Sequence, residues 1–273
     1  MSELSKQIVS KNSSYADDLK LFFPSFLSAS LQSDINFIAD WASRNGLELN
    51  HDKCVVMYFG NNNPHHTYYI QAKTIAAKPS HVDLGILVDS SLKFQAHADF
   101  IVNKVIKKAH YILKSFSRLS SHLFGILFRT FLRPVLEYCS QVSRPCYASS
   151  LARLETCQRR LTKWCKPLKH LPYSVRLERL NLPSVENRMK RGDLILTYQI
   201  LNQLIDLNPC DFFCFASTNT RGHNFRLSGT TSNLNIRHRF FTERIVQIWN
   251  SLPHHIVEAP TLNSFKSRLD SLG

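Results

Sequence analysis

The pattern of apolar residues changes near residue 92, and this change most constrains the fold. Before it, Leu19-Lys20-Leu21-Phe22 alternates apolar and polar side chains, as a half-buried strand does. After it, Ile101, Val105 and Ala109 recur every four residues, which indicates a helix with one buried face. Strands first and helices afterwards predict an α+β fold. The predicted parts are an irregular N-terminus, a strand-containing part and two mostly helical parts, at 1–14, 15–90, 91–150 and 151–273.

Periodicity and turn residues also predict the individual elements. Helices are expected at 31–45, 96–119, 123–138, 151–165, 184–205, 239–250 and 264–272. Pro134 should kink or restart the helix at 123–138, because proline lacks an N–H and clashes with the preceding turn. Strands are expected at 19–22, 54–59 and 67–70 and in a hairpin over 81–89, with Gly85 inside a strand.

The charge of the chain indicates its class of partner. A net charge of +14 and a pI near 9.6 are too basic for a typical metabolic enzyme and favour a polyanion. Nucleic acid is preferred over a membrane, because no apolar run reaches the roughly 18 residues of a spanning helix. The start of the chain lacks the apolar core of a secretory signal. We expect an intracellular protein of the cytoplasm or nucleus, with no membrane contact and no small-molecule cofactor.

The seven cysteines are scattered and contain no Cys-x-x-Cys pair. An odd, irregular set is typical of free thiols in a reducing compartment. Cys210 and Cys214 lie four apart with His223 beyond, but zinc needs a tighter set of ligands. Buried, apolar cysteines are therefore expected there rather than a metal site.

Most of the excess positive charge lies between residues 100 and 200. Two interpretations are open: phosphate contact, or helix faces that are simply solvated. The scarcity of acidic residues among these cations favours phosphate contact. Trp164 and Trp249 lie on apolar helix faces and are expected in the core. The candidate nucleic-acid-binding cations are Lys104, Lys107, Lys108, Lys114, Arg159, Arg160 and Lys163.

Two adjacent carboxylates, Asp17 and Asp18, follow Tyr15-Ala16 directly before the first strand pattern. Hard divalent cations require several carboxylate oxygens that converge on one point. Nucleotidyl transfer uses two such cations to activate the attacking hydroxyl and to stabilise the charge on the phosphate. An Asp-Asp pair alone is more often a solvated turn, so both interpretations stay open on these residues.

The order of several motifs resembles that of reverse transcriptases of jockey-like, non-LTR retrotransposons. Tyr15-Ala16-Asp17-Asp18 is similar to their catalytic turn, Asn50-His51-Asp52-Lys53-Cys54 to the next palm motif, and Leu84-Gly85-Ile86-Leu87-Val88-Asp89 to the primer-grip hairpin. Leu92, Phe94 and His97 before a Lys-rich helix look like the start of the thumb. Further matches are Leu154–Lys163, Leu171–Leu177, Arg191–Ile195, Phe241, Arg244, Trp249–Pro253 and Phe265-Lys266, so the resemblance covers about 15–270.

The resemblance implies a palm at 15–90, a thumb at 91–150 and RNA-directed DNA polymerase activity with Mg²⁺. Asp17 and Asp18 would be catalytic and would bind the metal, and Lys53 would act near the leaving pyrophosphate. Tyr15 would lie under the primer terminus, and Gly85 would let the primer strand approach the backbone. The implied partners are an RNA template, a DNA primer and their RNA–DNA duplex. A solvated turn lysine and a simple bulge glycine are the alternatives for Lys53 and Gly85.

The chain also departs from the family. Only 14 residues precede Tyr15, which leaves no room for the fingers, the first catalytic aspartate and the dNTP pocket. We therefore expect a partial palm of short antiparallel strands with one helix, a truncated enzyme without autonomous polymerase activity, and weak Mg²⁺ binding. Two other functions are compatible with the sequence: a non-catalytic nucleic-acid-binding protein that uses the basic helical thumb, and an inert transposon relic.

Overall fold

A computed structural model describes residues 4–116, 119–144, 147–216, 225–229 and 235–272. The architecture is mixed: 55% of the chain is helical and 12% is strand, in agreement with the predicted α+β class. The chain forms two compact units, one of residues 1–84 with 88–91 and the other of residues 85–87 with 92–273. Within the described ranges, no helix is both long and apolar enough to span a membrane.

The first unit contains short strands and one long helix. Its helices are α1 (Leu4–Gln7) and α2 (Ser28–Arg44), with 3-10 turns at Ser25–Leu27 and His51–Lys53. The antiparallel pairs are β1 (Lys11–Tyr15) with β2 (Asp18–Phe22) and β4 (Tyr69–Ile70) with β5 (Lys73–Thr74), and the parallel pair is β3 (Val55–Val56) with β6 (Ala76–Ala77). A further two-stranded sheet consists of β7 (Ser80–Asp83) and β8 (Ile86–Asp89), of which residues 86 and 87 are counted in the second unit.

Residues 4–14 contain α1 and most of β1 and contact α2, whereas a disordered or irregular N-terminus was predicted for 1–14. Asp34 of α2 is buried, and its carboxylate accepts from the backbone N–H groups of Val9 at 3.2 Å and Ser10 at 2.7 Å. Leu4 and Ile8 pack with Ile38 in a small apolar cluster. Composition indicated a turn here because the serines and asparagine are individually poor strand formers. Pairing with β2 and the carboxylate of a distant helix override that preference.

The second unit is helical. Its helices are α3 (Gln95–Lys114), α4 (Ser121–Leu127), α5 (Arg133–Glu137), α6 (Ser140–Ser143), α7 (Ala148–Thr162), α8 (Tyr173–Leu180), α9 (Val185–Leu201), α10 (Asn235–His238), α11 (Phe241–Asn250), α12 (His254–Val257) and α13 (Leu262–Asp270). The unit also contains 3-10 turns at Lys166–Leu168 and Pro209–Asp211. One antiparallel pair joins β9 (Cys214–Phe215) to β10 (Leu227–Ser228).

The predicted distortion at Pro134 takes the form of a widened helical turn. A π-helical turn, Phe128–Leu132, connects α4 to α5, and the Arg133 N–H donates to the carbonyl of Phe128, five residues earlier. Proline cannot donate in an i to i−4 ladder, and its ring crowds the carbonyl four residues back. A wider turn just before the proline relieves that crowding without ending the helix.

Two apolar clusters fill the helical unit, and α9 contributes to both. Val185 and Met189, near its start, pack with residues of α3, α4, α5 and α7. Tyr198, near its end, stacks on Phe265 of α13 with ring centroids 4.3 Å apart, in a cluster that includes the fully buried Trp249. The first cluster anchors α3 and α7, which carry the predicted phosphate-binding cations.

Candidate nucleic-acid interface

Helices α3 and α7 lie side by side and run in the same direction. Near their starts, Arg153 of α7 donates to the carboxylate of Asp99 of α3 at 2.7 Å. Near their ends, the rings of Trp164 and His110 lie with centroids 6.0 Å apart. Each pair joins residues 54 apart in sequence, so the register is maintained along both helices. The C-terminal ends of the two helices therefore lie together.

Buried residues at helical spacing explain why these helices adopt this arrangement. On α3, Ala98, Ile101, Val105 and Ala109 form one buried stripe. On α7, the buried apolar residues are Leu154, Cys157 and Leu161. Residues three and four apart share a helix face, so each stripe turns the intervening charged residues toward solvent. Burial raises the pKa of the Cys157 thiol to about 11, which keeps this thiol neutral in the core.

Lys114 lines a groove where α3 and α7 end, and three more of the predicted cations lie close to its lining residues by helical spacing. The groove has a volume of about 240 Å³ and is lined by His110, Leu113, Lys114 and Trp164. Lys107 lies three residues before His110 and seven before Lys114, hence on the same face of α3. Arg160 precedes Trp164 by four residues, and Lys163 directly precedes it. We call Lys107, Lys114, Arg160 and Lys163, all exposed, the groove cations.

The other three predicted cations lie against aromatic rings on other flanks of the helices. Lys104 and Lys108 of α3 lie 5.8 and 5.9 Å from the ring centroids of Phe100 and Phe131. Arg159 of α7 lies 4.8 Å from the ring centroid of Tyr173. Each contact is a cation–π interaction that stabilises the side chain in place. The structure thus separates the seven predicted residues into four groove cations and three flank cations, which sequence spacing did not reveal.

None of the seven cations forms a salt bridge with a carboxylate of the described chain. Arginines elsewhere in the helical unit are paired. Arg188 donates twice to Glu137 at 2.8 Å, and Arg191 donates to Asp270 at 2.6 Å. These arginines fix helix packing, so positive charge between residues 100 and 200 divides into a neutralised set and a set left to solvent.

The sequence at the groove contains no acidic residue that could neutralise it locally. Residues 100–114 include four lysines and no Asp or Glu, and residues 156–170 include five Lys or Arg and no Asp or Glu. Glu155, just before the second stretch, is engaged elsewhere: it accepts from the Tyr173 hydroxyl and from the Val185 N–H. Burial and the Glu155 contact raise the pKa of Tyr173, so its phenol stays protonated.

Three groups of residues were missed or misassigned from the sequence, two of them near the groove. Trp164 was expected in the core, but 39% of it is exposed; Trp249 is fully buried as expected. Lys166 and Lys169 are exposed in the turns that follow α7 and extend the basic stretch. The absence of acidic residues across 156–170 is the sequence feature that could have identified Lys166 and Lys169. Cys210 and Cys214 are exposed rather than buried, and His223 lies outside the described residues.

The predicted catalytic turn lies at the tip of the β1–β2 hairpin. Tyr15 pairs with Asp18, so Ala16 and Asp17 form a two-residue turn in which Ala16 has a φ of +52°. Both carboxylates are exposed, as is 67% of Tyr15. Lys20, farther along β2, forms a salt bridge of 2.7 Å with Asp83 of β7. The turn therefore presents two neighbouring carboxylates to solvent.

Lys53 and Gly85 both lie in turns. Lys53 ends the 3-10 turn after Asn50, whose side chain accepts from the Lys53 N–H at 3.2 Å, and the lysine is exposed. Gly85 was expected inside a strand, but it lies in the turn between β7 and β8 with a φ of +83°. A Cβ at this position would meet the Tyr138 ring at 3.5 Å, an ordinary contact. The left-handed backbone, rather than a close approach, requires glycine there.

The metal expected from the sequence has only a partial ligand set at the turn. Among residues with described positions, no group of three or more His, Cys, Asp or Glu side chains is placed to hold a metal ion. Asp17 and Asp18 supply two carboxylates, and hard cations such as Mg²⁺ take several oxygen ligands, including water. The residues at this turn could thus provide part of a Mg²⁺ site.

Comparisons with known proteins identify one distant relative. An uncharacterized protein of Caenorhabditis elegans is 27% identical over 110 residues, which are 39% of this chain and 55% of the relative. The chain therefore spans about half the length of the curated relative that it matches. No family model matches the chain. No solved structure matches it either.

Proposed function

We propose that the helical unit binds the phosphate backbone of a nucleic-acid duplex through the groove cations. The observation that carries this proposal is a set of four exposed cations toward the neighbouring ends of two parallel helices, none of them in a salt bridge with a carboxylate of the described residues. Phosphate contacts from Lys and Arg supply most of the non-specific affinity of proteins for nucleic acid.

The alternative, that these are merely solvated helix faces, must explain the high local charge. Lysine and arginine at a helix C-terminus are stabilised by the macrodipole, which is equivalent to about −0.5 charge per helix. Two parallel helices supply about −1 in total, whereas the groove cations carry four positive charges. A substantial positive excess is left, and a polyanion is the partner that would neutralise it.

We further propose that the natural ligand is the RNA–DNA duplex of a non-LTR retrotransposon reverse transcriptase. The order of elements supports this: a hairpin with adjacent aspartates, then α2, then the β7–β8 hairpin, then a basic helical unit. This is the order that the sequence resemblance implies for palm and thumb. Mg²⁺ would bind at Asp17 and Asp18, and Lys53 would act on the leaving group.

Polymerase activity of this chain on its own is not part of the proposal. Two exposed carboxylates on one turn are fewer than the converging set that two catalytic cations need. Primer extension on an RNA template with Mg²⁺ or Mn²⁺ should therefore give no product. Incorporation that disappears in the Asp17→Ala variant would show that the catalytic site is complete and would refute this part of the proposal.

Two matched variants test the binding site itself. Replacing all four groove cations by glutamine should weaken duplex binding by more than about a hundredfold at ~0.1 M salt, since four phosphate contacts would be lost. Replacing the flank cations Lys104, Lys108 and Arg159 by glutamine removes nearly as much charge and should weaken it far less. Equal losses in both variants would point to general charge attraction, and no binding by the wild type would favour the inert relic.

A further inference from the structure

Trp164 is an exposed indole in the most basic part of the chain. Trp164 directly follows Lys163 in sequence, and 39% of its surface is accessible to solvent. Trp249, in comparison, is fully buried, and its indole N–H donates to the carbonyl of Phe225 at 2.8 Å. A tryptophan that serves packing alone gains most when it is buried as Trp249 is. The partial exposure of Trp164 leaves a large aromatic surface for a ligand.

The groove beside Trp164 has the dimensions and walls of a site for one aromatic ring. The His110 ring stands nearly perpendicular to the indole, with an interplanar angle of 73°. Leu113 provides an apolar wall, and Lys114 provides a positive charge at the edge. The volume of about 240 Å³ is smaller than the ~300–1,000 Å³ of sites for drug-sized molecules. A single planar group fits this description better than an extended ligand does.

We propose that this groove binds one unpaired nucleobase, stacked on the indole of Trp164, while the groove cations hold the phosphates on either side of it. The inference rests on the proposed nucleic-acid binding and specifies the ligand: a single-stranded nucleotide that adjoins the duplex. A base inside a duplex is already stacked on both faces, so its ring is not accessible to Trp164. Stacking on aromatic side chains between cations is how proteins bind single strands without sequence preference.

Charge complementarity favours this ligand over an apolar peptide or a lipid chain. The apolar surface of the groove is confined to the indole, the imidazole and Leu113; Lys114 also lines it, and Lys163 directly precedes Trp164 in sequence. An apolar segment would leave those charges without partners. A nucleotide supplies a planar apolar ring for the groove together with an anionic phosphate for the cations.

The experiment compares an oligothymidylate with a backbone of equal length and charge that carries no bases, using the full chain and fluorescence anisotropy. Trp164→Ala should weaken oligothymidylate binding about fivefold or more, and Trp164→Phe should retain most of the affinity. Neither change should affect the baseless backbone. Tyr111→Ala is the matched control, because Tyr111 is an aromatic residue of α3 that is 79% exposed and does not line the groove.

The outcomes separate the inference from the proposal on which it rests. If the wild type binds both oligomers and Trp164→Ala weakens both equally or neither, the stacking site is refuted and phosphate binding stands. If the wild type binds neither oligomer nor a duplex, both are refuted. Thermal unfolding of each variant checks the fold, and the Phe variant keeps the test valid if the Ala variant is unstable.

Discussion

The buried imidazole of His97 predicts how the stability of the helical unit depends on pH. Its Nδ1 accepts from the Leu87 N–H at 3.0 Å, and its ring packs near Phe94 and Phe100. Burial, followed by the nearby charge of Lys104, lowers the pKa of His97 from 6.5 to about 4. Protonation would place a charge in the core and remove the only acceptor that Nδ1 offers.

The pKa difference sets both the sign and the size of the effect. Between about pH 6.5 and 4, the unfolded chain binds a proton on this residue that the folded chain does not. The contribution to stability is therefore full above about pH 6.5 and falls as the pH decreases. At ~1.4 kcal/mol per pKa unit, the limit is about 3 kcal/mol, of which about 2 kcal/mol should be lost by about pH 5.

Urea unfolding of the wild type and of His97→Asn at about pH 7.5 and pH 5 measures this contribution. Asparagine places an oxygen acceptor near the Nδ1 position but does not titrate. The variant should be less stable at the higher pH, because it loses ring packing, yet it should lose about 2 kcal/mol less than the wild type on acidification. The exposed His122→Asn is the control. Equal losses in wild type and His97→Asn would refute the reasoning.

Two other substitutions test the internal structure by chemical denaturation. Asp193, only 1% exposed, accepts from Arg244 at 2.8 Å twice and from Arg144 at 3.4 Å. Asp193→Asn removes the carboxylate that pairs with Arg244 and leaves Arg144 with Glu186 at 3.9 Å, so it should lower the free energy of unfolding by about 3–5 kcal/mol. A loss below about 1 kcal/mol would contradict this. Gly85→Ala should lower the free energy of unfolding by about 1–2 kcal/mol, because the backbone φ at Gly85 is +83°. Gly229→Ala is the control, since the φ of Gly229 lies outside the left-handed region, and it should lower this free energy less. Equal losses in the two variants would count against backbone strain at Gly85.

Helices were predictable from this sequence because their signal is long and repeated. The expected helices at 31–45, 96–119, 151–165 and 184–205 correspond to α2, α3, α7 and α9 with small differences at their ends. Strands were predicted in part. The expected strand at 19–22 corresponds to β2 and the expected hairpin over 81–89 to β7 and β8, whereas 54–59 and 67–70 contain only the two-residue strands β3 and β4. In the strand at Lys11–Tyr15, every residue before Tyr15 is polar, so no alternation of apolar and polar residues indicates a strand there.

The exposure of the candidate cations was predictable, but their grouping was not. Composition indicated cations without acidic neighbours, and these cations are exposed in the structure. The parallel packing of α3 and α7 brings the turn of α3 that carries Lys107 beside the turn of α7 that carries Arg160, more than 50 residues away, whereas Lys104 lies against the Phe100 ring. Trp164 was misassigned because helical periodicity places it beside the buried stripe, and periodicity does not show where the neighbouring helix ends.

The salt dependence of duplex affinity tests the central proposal most directly. For the wild-type chain and an RNA–DNA duplex, four phosphate contacts predict that log K falls with log salt with a slope near −3.6. Affinity should therefore decrease about 150-fold between ~50 and ~200 mM salt. Replacement of the groove cations Lys107, Lys114, Arg160 and Lys163 should bring the slope close to zero. A flat response in the wild type, or a steep slope that survives this replacement, would contradict the proposed interface.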